Sequence, residues 1–170
     1  MSGGTTQRSS PRGLQRLALR LPILIFRAGL GSLFGGRLIL LTHVGRTSGQ
    51  LRETVLEVVR HDRDLGGYIV ASGWGEHAQW LQNIQHNPHV MIQPDRRRLL
   101  ARAVRLPPAA AAAALAAYAS RHPAAFRALS RLMIGEPLAP DAAGLARLAA
   151  RVPLVALIYR EAAAAPDRSL

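Results

Sequence analysis

The chain reverses direction at Thr42-His43-Val44-Gly45-Arg46-Thr47-Ser48-Gly49-Gln50-Leu51-Arg52, a glycine-containing turn between two apolar runs. Residues 37–43, before the turn, are almost continuously apolar, which is typical of a buried strand. Residues 52–60, after the turn, alternate between two sets of side chains, which indicates a strand with one buried face. The two runs predict two consecutive strands, from which an antiparallel sheet can be built.

Further short strands and a few helices follow, bounded by glycine and proline. Strands are predicted at residues 68–72, 90–93, 99–106 and 153–159, and a short helix at residues 78–85. Two more helices are predicted before the last strand, one from Pro107-Pro108 to about residue 120 and one at residues 123–133. A meander of short strands with few helices is typical of a small β-barrel.

The length of 170 residues fits one domain with one core. We expect a single domain over residues 14–160, a disordered tail at residues 1–13 and a flexible tail at residues 161–170. Residues 14–34 predict a basic amphipathic helix. This helix either caps the barrel core, which we favour, or lies on anionic lipid, and the two roles are compatible.

Arginines interrupt residues 14–34, so no run approaches the ~20 apolar residues that span a bilayer. They also interrupt the pattern of a secretory signal. We therefore expect a cytoplasmic protein, with peripheral contact at the inner face of the cell membrane through residues 14–34 left open.

The charge of the chain is strongly positive. Twenty-two basic residues, all of them arginine, stand against 10 acidic ones and give a net charge of +12. An anionic partner is expected, which is nucleic acid, an anionic membrane surface or a polyanionic ligand. The absence of lysine and cysteine excludes Schiff-base chemistry, disulfides and thiolate metal sites, and the six histidines lack metal-ligand spacing, so we assign no metal.

The turn itself is suited to oxyanions. Gly45 and Gly49 let the backbone approach a ligand closely, and the neighbouring hydroxyls and amides are donors. Arg46 and Arg52 add forked donors that match phosphate. A turn of this composition is also compatible with a solvated loop, and the absence of a P-loop lysine argues against a nucleoside triphosphate site.

Three motifs occur in a fixed order along the chain. They are residues 40–54, which contain the turn, then Val70-Ala71-Ser72-Gly73-Trp74-Gly75, and then Trp80-Leu81-Gln82-Asn83-Ile84-Gln85-His86-Asn87-Pro88. In these motifs the chain resembles the deazaflavin (F420)-dependent nitroreductase and quinone reductase family. The resemblance implies an α+β fold, a split β-barrel of the FMN-binding type with about six mainly antiparallel strands and peripheral helices.

The resemblance further implies an F420H2-dependent oxidoreductase that transfers a hydride from reduced coenzyme F420, a 5-deazaflavin, to a quinone-like or nitroaromatic acceptor. No catalytic side chain is required, because the coenzyme carries the hydride. A homodimer is compatible with the family. The residues expected to bind the coenzyme are Thr42, Arg46, Thr47, Ser48, Gly49, Gln50, Arg52, Val55, Leu56, Ala71, Ser72, Gly73, Trp74, Trp80 and Asn83.

Trp80 and Asn83 have a second interpretation, as a core anchor and a helix-end hydrogen-bonding residue. The sequence also departs from the family pattern at two positions of the turn. Thr47 stands where many members carry a basic residue, and Leu51 where proline is common. Both changes leave the preferred length of the coenzyme tail open. Tyr118 is a candidate for the acceptor pocket, in which some members carry tyrosines.

Two other functions are considered for the same barrel. An FMN or haem carrier would use the arginine turn to hold a smaller phosphate. A basic nucleic-acid-binding barrel is disfavoured, because single-strand binders stack bases on aromatic side chains and this chain has two Trp, three Tyr and three Phe that are not interleaved with its arginines. We therefore expect no nucleic-acid partner.

Overall fold

The computed structural model of the chain describes residues 35–159. The predicted tail at residues 1–13, the predicted helix at residues 14–34 and the predicted tail at residues 161–170 lie outside the described residues. Among those described, no helix is long and apolar enough to cross a bilayer.

Six antiparallel strands form a closed barrel with the spatial order β1-β2-β3-β6-β5-β4. The strands are β1 (Leu38–Val44), β2 (Leu51–Asp62), β3 (Gly67–Ala71), β4 (His89–Gln93), β5 (Leu99–Arg105) and β6 (Leu154–Tyr159). Strands β1 and β2 form the predicted hairpin, with Leu41 opposite Thr54 and His43 opposite Arg52. The prediction of about six mainly antiparallel strands with peripheral helices is confirmed.

Apolar side chains fill the interior of the barrel. They include Ile39, Leu41, Leu56, Val70, Ile92, Val155 and Leu157. Helix α1 (Gln79–His86) adds Trp80, Leu81 and Ile84 to the same cluster. Each such side chain contributes roughly 1.5–3 kcal/mol when it is removed from water. Helix α1 is therefore held by the barrel core itself.

A second apolar cluster lies between the barrel and a layer of three helices. These helices are α2 (Pro108–Arg121), α3 (Pro123–Ile134) and α4 (Ala142–Arg151). They pack on Val59, Ile69 and Leu154, which point outward from β2, β3 and β6. The layer covers one side of the barrel.

The prediction of two helices between the last hairpin and the last strand was wrong, because α4 is a third. Its N-cap is Asp141, whose carboxylate accepts a hydrogen bond from the amide of Gly144 at 2.8 Å. Its buried residues Leu145 and Leu148 are three apart, which is a helical spacing. The alanines and the glycine around these two leucines weaken the apolar pattern of the segment. The helix is therefore stabilised mainly by packing against the other helices.

Strand β2 also departs from simple alternation. Its pairing with β3 shifts register between Val58 and Arg60, which marks a β-bulge. Within residues 35–159 the other predicted strands and helices match the structure to within about two residues at each end.

Candidate functional site

The turn between β1 and β2 is closed by its own backbone. The amide of Gly45 donates to the carbonyl of Gln50 at 2.8 Å, and the amide of Gly49 donates to the carbonyl of Gly45 at 2.8 Å. Gly49 has a φ of +66°, in the left-handed region that favours glycine. Residues 46–50 are exposed, so their side chains are available to a ligand.

Helix α1 anchors this turn through Arg46. The backbone amide of Arg46 donates to Oδ1 of Asn83 at 3.1 Å, and its Nη1 donates to the same oxygen at 3.0 Å. Nη1 also donates to Oε1 of Gln79 at 3.0 Å. Gln79 and Asn83 are four residues apart, so they share a face of the helix. The guanidinium is thus fixed in direction before any ligand binds.

A buried histidine lies behind Asn83. Nδ2 of Asn83 is 3.1 Å from Nδ1 of His43, and the two side chains are 5% and 4% exposed. Burial lowers the pKa of His43; a backbone contact with Val44 opposes this, and the charge of Arg52 adds to it. The lowered pKa of His43 favours its neutral imidazole form.

Arg46 and Arg52 form no ion pair within the described part of the chain. Arg46 hydrogen-bonds only amides, and Nη2 of Arg52 donates to Oε1 of Gln50 at 3.4 Å. Ion pairs between residues 35–159 engage other arginines, those of Arg37–Glu57, Arg60–Asp62, Arg105–Glu76 and Arg147–Glu136. Two arginines held by neutral acceptors next to exposed hydroxyls suit a polyanion.

The loop after β3 leads directly into α1. Ser72 is buried; its amide donates to the carbonyl of Pro153 at 2.9 Å and its hydroxyl to the carbonyl of Gly75 at 2.8 Å. Gly75 has a φ of +60°. The indole of Trp74 is 49% exposed. A large exposed aromatic ring on a loop pinned at both ends is a candidate ligand contact.

The structure brings some of the predicted site residues into contact and separates others. Arg46 contacts Asn83, Gln50 contacts Arg52 and Ser48, and Ser72 lies in one loop with Gly73 and Trp74. Thr47 and Gly49 are exposed in the turn, and Thr42 and Val55 are half-buried on β1 and β2.

Four of the predicted residues lie elsewhere. Leu56 and Trp80 lie in the barrel core, and Ala71 packs against the helical layer. Tyr118 is 3% exposed in that layer, on α2. The coenzyme contacts of the first three and the acceptor contact of Tyr118 stay predictions.

Sequence reasoning missed His43 and Gln79 as parts of the site. Gln79 and Asn83 lie four residues apart on the predicted helix, so the sequence indicates that they share a face, but it does not indicate that Arg46 contacts them. No local signal identifies His43, because its partner is 40 residues away.

Two grooves lie outside the turn. One, of about 280 Å³, lies between α1 and β5, and the other, of about 250 Å³, lies between α2, α3 and the segment before α4. Neither is lined by a residue of the turn. Residues 35–159 contain no group of three side chains that could hold a metal ion.

The sequence profile of one known family matches the region that contains these features. The profile, described as F420H(2)-dependent quinone reductase, matches residues 25–129. This span includes the turn, the Trp74 loop and helix α1, and it is more than half of the chain. The chain belongs to the F420H(2)-dependent quinone reductase family. It is therefore an F420-dependent oxidoreductase, and the predicted family resemblance is confirmed.

Solved structures are similar to this family member in fold. An F420-H2 dependent reductase (FDR-A) has 18% identity and a TM-score of 0.49, over 71% of this chain and 93% of that one. A chain described as a domain-swapped dimer has 18% identity and a TM-score of 0.52, over 85% and 99% of the two chains. A protein of unknown function from Agrobacterium tumefaciens has 16% identity and a TM-score of 0.50, over 74% and 49%. No curated protein matches the chain. The predicted split β-barrel is confirmed.

Proposed function

We propose that this protein transfers a hydride from reduced coenzyme F420 to a quinone-like or nitroaromatic acceptor, and that residues 45–52 bind the anionic tail of the coenzyme. The observation that carries the proposal is the pair Arg46 and Arg52, which form no ion pair within residues 35–159 and whose donors are oriented by amide oxygens.

The residues of the turn fit a polyanionic group. Charge-assisted hydrogen bonds from a guanidinium contribute about 1.5–3 kcal/mol each. Because Asn83 and Gln79 hold Arg46 in place, less side-chain freedom is lost when an anion binds. Thr47 and Ser48 add exposed hydroxyls beside the guanidinium groups, although Oγ of Ser48 already accepts from the amide of Gln50 at 3.3 Å.

The deazaflavin ring is proposed to lie against Val55 and the loop from Ser72 to Trp74. Bound reduced coenzyme supplies the hydride, so the protein provides orientation, electrostatics and exclusion of water rather than an acid–base pair. Leu56 and Trp80 fill the core behind these strands and keep them in place. The exposed indole of Trp74, on the loop after β3, offers an aromatic face to the ring.

The first test is a fluorescence titration of the purified full chain with oxidised coenzyme F420. FMN, haem and a single-stranded oligonucleotide are titrated beside it at physiological salt. Selective binding of F420 supports the proposal. Binding of FMN, haem or the oligonucleotide in its place contradicts it and assigns the barrel to one of the other two functions.

Variants locate the binding site. We expect Arg46→Ala and Arg52→Ala each to weaken F420 binding by about tenfold or more, since each removes a charge-assisted contact. Arg131→Ala is the matched control, because Arg131 is exposed on α3 in the helical layer. Equal affinities of all three variants would place the coenzyme tail elsewhere.

The acceptor is identified by turnover. Oxidation of reduced F420 is followed by absorbance with a short-chain naphthoquinone and with a nitroaromatic compound as separate acceptors. Turnover of either acceptor supports the proposed reaction. Tight coenzyme binding with turnover of neither acceptor would mean that the protein binds the coenzyme without catalysing this reaction.

The homodimer is also a proposal. The chain of 170 residues has a mass of 18.3 kDa, so light scattering of the full chain distinguishes one copy from two. Contact of residues 14–34 with lipid is tested by sedimentation with anionic vesicles, in comparison with a chain that begins at residue 35.

A further inference from the structure

The amide of Asn83 can adopt only one orientation in this structure. Its Oδ1 accepts from both the backbone amide and Nη1 of Arg46, and both of these groups are donors that cannot accept. Rotating the amide by half a turn would place its NH2 group against two donors. The NH2 group of Asn83 must therefore face His43.

This orientation fixes the tautomer of His43. Nδ2 of Asn83 is a donor, so Nδ1 of His43, at 3.1 Å, must accept. A neutral imidazole that accepts at Nδ1 carries its proton at Nε2. The assignment follows from the partners alone, since a protonated imidazole has no acceptor.

We propose that His43 is a positioning residue, which holds Arg46 in its coenzyme-binding direction through Asn83 and does so only while its Nδ1 is unprotonated. The inference rests on the proposed function in one respect, that Arg46 binds the coenzyme. The contact chain from His43 to Asn83 to Arg46 is independent of it.

Protonation of His43 leaves no satisfactory arrangement of the three side chains. A proton on Nδ1 would face the NH2 group of Asn83, so one of these buried donors would lose its partner. If Asn83 rotated to accept from His43, its NH2 group would face the two donors of Arg46. Either way an unsatisfied donor remains where water has little access, because Asn83 and His43 are 5% and 4% exposed.

The charges around His43 favour the same state. Arg52 faces it from β2, as its cross-strand partner, and its charge opposes protonation. Arg46 lies beyond Asn83 and is also cationic. From α1 the facing residue is the neutral Asn83, and on β4 the neighbouring Met91, paired with Thr42, is uncharged. Among the residues described, no carboxylate faces the imidazole to stabilise its charge.

The test follows the backbone amide of Arg46 by nuclear magnetic resonance of the ¹⁵N-labelled full chain, from about pH 8 to about pH 5. In the wild type we expect the amide resonance of Arg46 to shift with the protonation of His43. In His43→Asn, whose Oδ1 is a non-titrating acceptor at a similar position, the shift with pH should vanish. His89→Asn, which changes an exposed histidine on β4, should retain it.

Coenzyme binding gives a second readout. We expect wild-type affinity for oxidised F420 to fall several-fold across the same pH range, and the affinity of His43→Asn to stay within about threefold of the wild-type value at pH 8 without that fall. His43→Leu, which has no acceptor, should bind about tenfold more weakly at both ends of the range.

The outcomes separate this inference from the proposed function. An Arg46 resonance that is flat with pH in the wild type, or that titrates unchanged in His43→Asn, overturns the role of His43. If F420 fails to bind the wild type, the proposed function fails, and the Arg46 resonance alone decides the role of His43. If His43→Leu does not fold, the comparison of wild type with His43→Asn still decides it.

Discussion

The hydroxyl of Tyr118 on α2 donates a hydrogen bond to Oε1 of Glu57 on β2 at 2.9 Å. Glu57 lies six residues beyond Leu51, where β2 leaves the turn, which is about 20 Å along an extended strand. Tyr118 therefore joins the helical layer to the barrel well away from Arg46.

This contact predicts the behaviour of Tyr118→Phe. We expect a loss of about 1 kcal/mol in the free energy of unfolding, because Glu57 is half exposed and solvent weakens the hydrogen bond. F420 affinity should stay within about twofold, since the turn is untouched. Urea unfolding and fluorescence titration measure the two quantities. A raised KM for the acceptor at unchanged stability would instead assign Tyr118 to the acceptor pocket.

The phenol of Tyr118 should also stay protonated far into the alkaline range. Burial, then the hydrogen bond and the negative charge of Glu57, raise its pKa to about 12, while Arg37 opposes the rise. Ultraviolet titration should show one tyrosine ionising at about this value, and it should disappear in Tyr118→Phe. Ionisation of that tyrosine near pH 10 would mean that the contact with Glu57 is not formed in solution.

His43 predicts an acid-sensitive fold. Its pKa is lowered in the folded state, so the unfolded chain binds the proton more tightly, and the contribution of His43 to stability is present above the ordinary pKa of about 6.5 and is lost as the pH falls below it toward the folded value. Urea unfolding at successive pH values measures this slope. The free energy of unfolding of His43→Asn should fall less than that of the wild type between neutral and mildly acidic pH. An identical dependence on pH in both proteins would mean that His43 is not the cause of the acid sensitivity.

We expect substitution of Gly49 to lower the stability through the backbone conformation and not through a steric clash. A Cβ added there meets no atom within 4 Å, but its φ of +66° is costly for other residues. Gly49→Ala should therefore destabilise by about 1–2 kcal/mol, and Gly49→Asn by less, since asparagine tolerates this conformation. Thermal unfolding compares the two. Equal losses in both variants would point to a role for the missing side chain itself.

Substitution of Gly144, at the start of α4, should lower the stability through a steric clash. A Cβ there would clash with the carbonyl oxygen of Ala139, which is backbone and cannot move aside easily. Gly144→Ala should destabilise by about 2 kcal/mol or more. Gly73→Ala is the matched control, because its added Cβ meets nothing within 4 Å. Similar stabilities of the two variants would mean that the segment before α4 relaxes freely.

Helix α4 shows where prediction from the sequence failed. The strands were predictable because continuous or alternating apolar runs are local signals, and the turn residues between them are distinctive. In α4 only Leu145 and Leu148 mark the buried face, among alanines and a glycine. Its helical structure depends on the cap at Asp141 and on packing against α2, neither of which a short apolar pattern reports.

Residue type and order along the chain were enough to predict the barrel strands, to find the motifs of the family, and to recognise a turn at residues 45–52 whose composition suits an oxyanion. These follow from residue type and spacing along short stretches. The contacts of Arg46 with Gln79 and Asn83, and the buried His43 behind them, become visible only in the folded chain. Those contacts join residues 33 to 40 positions apart, so they exist only once the barrel closes and α1 packs into its core.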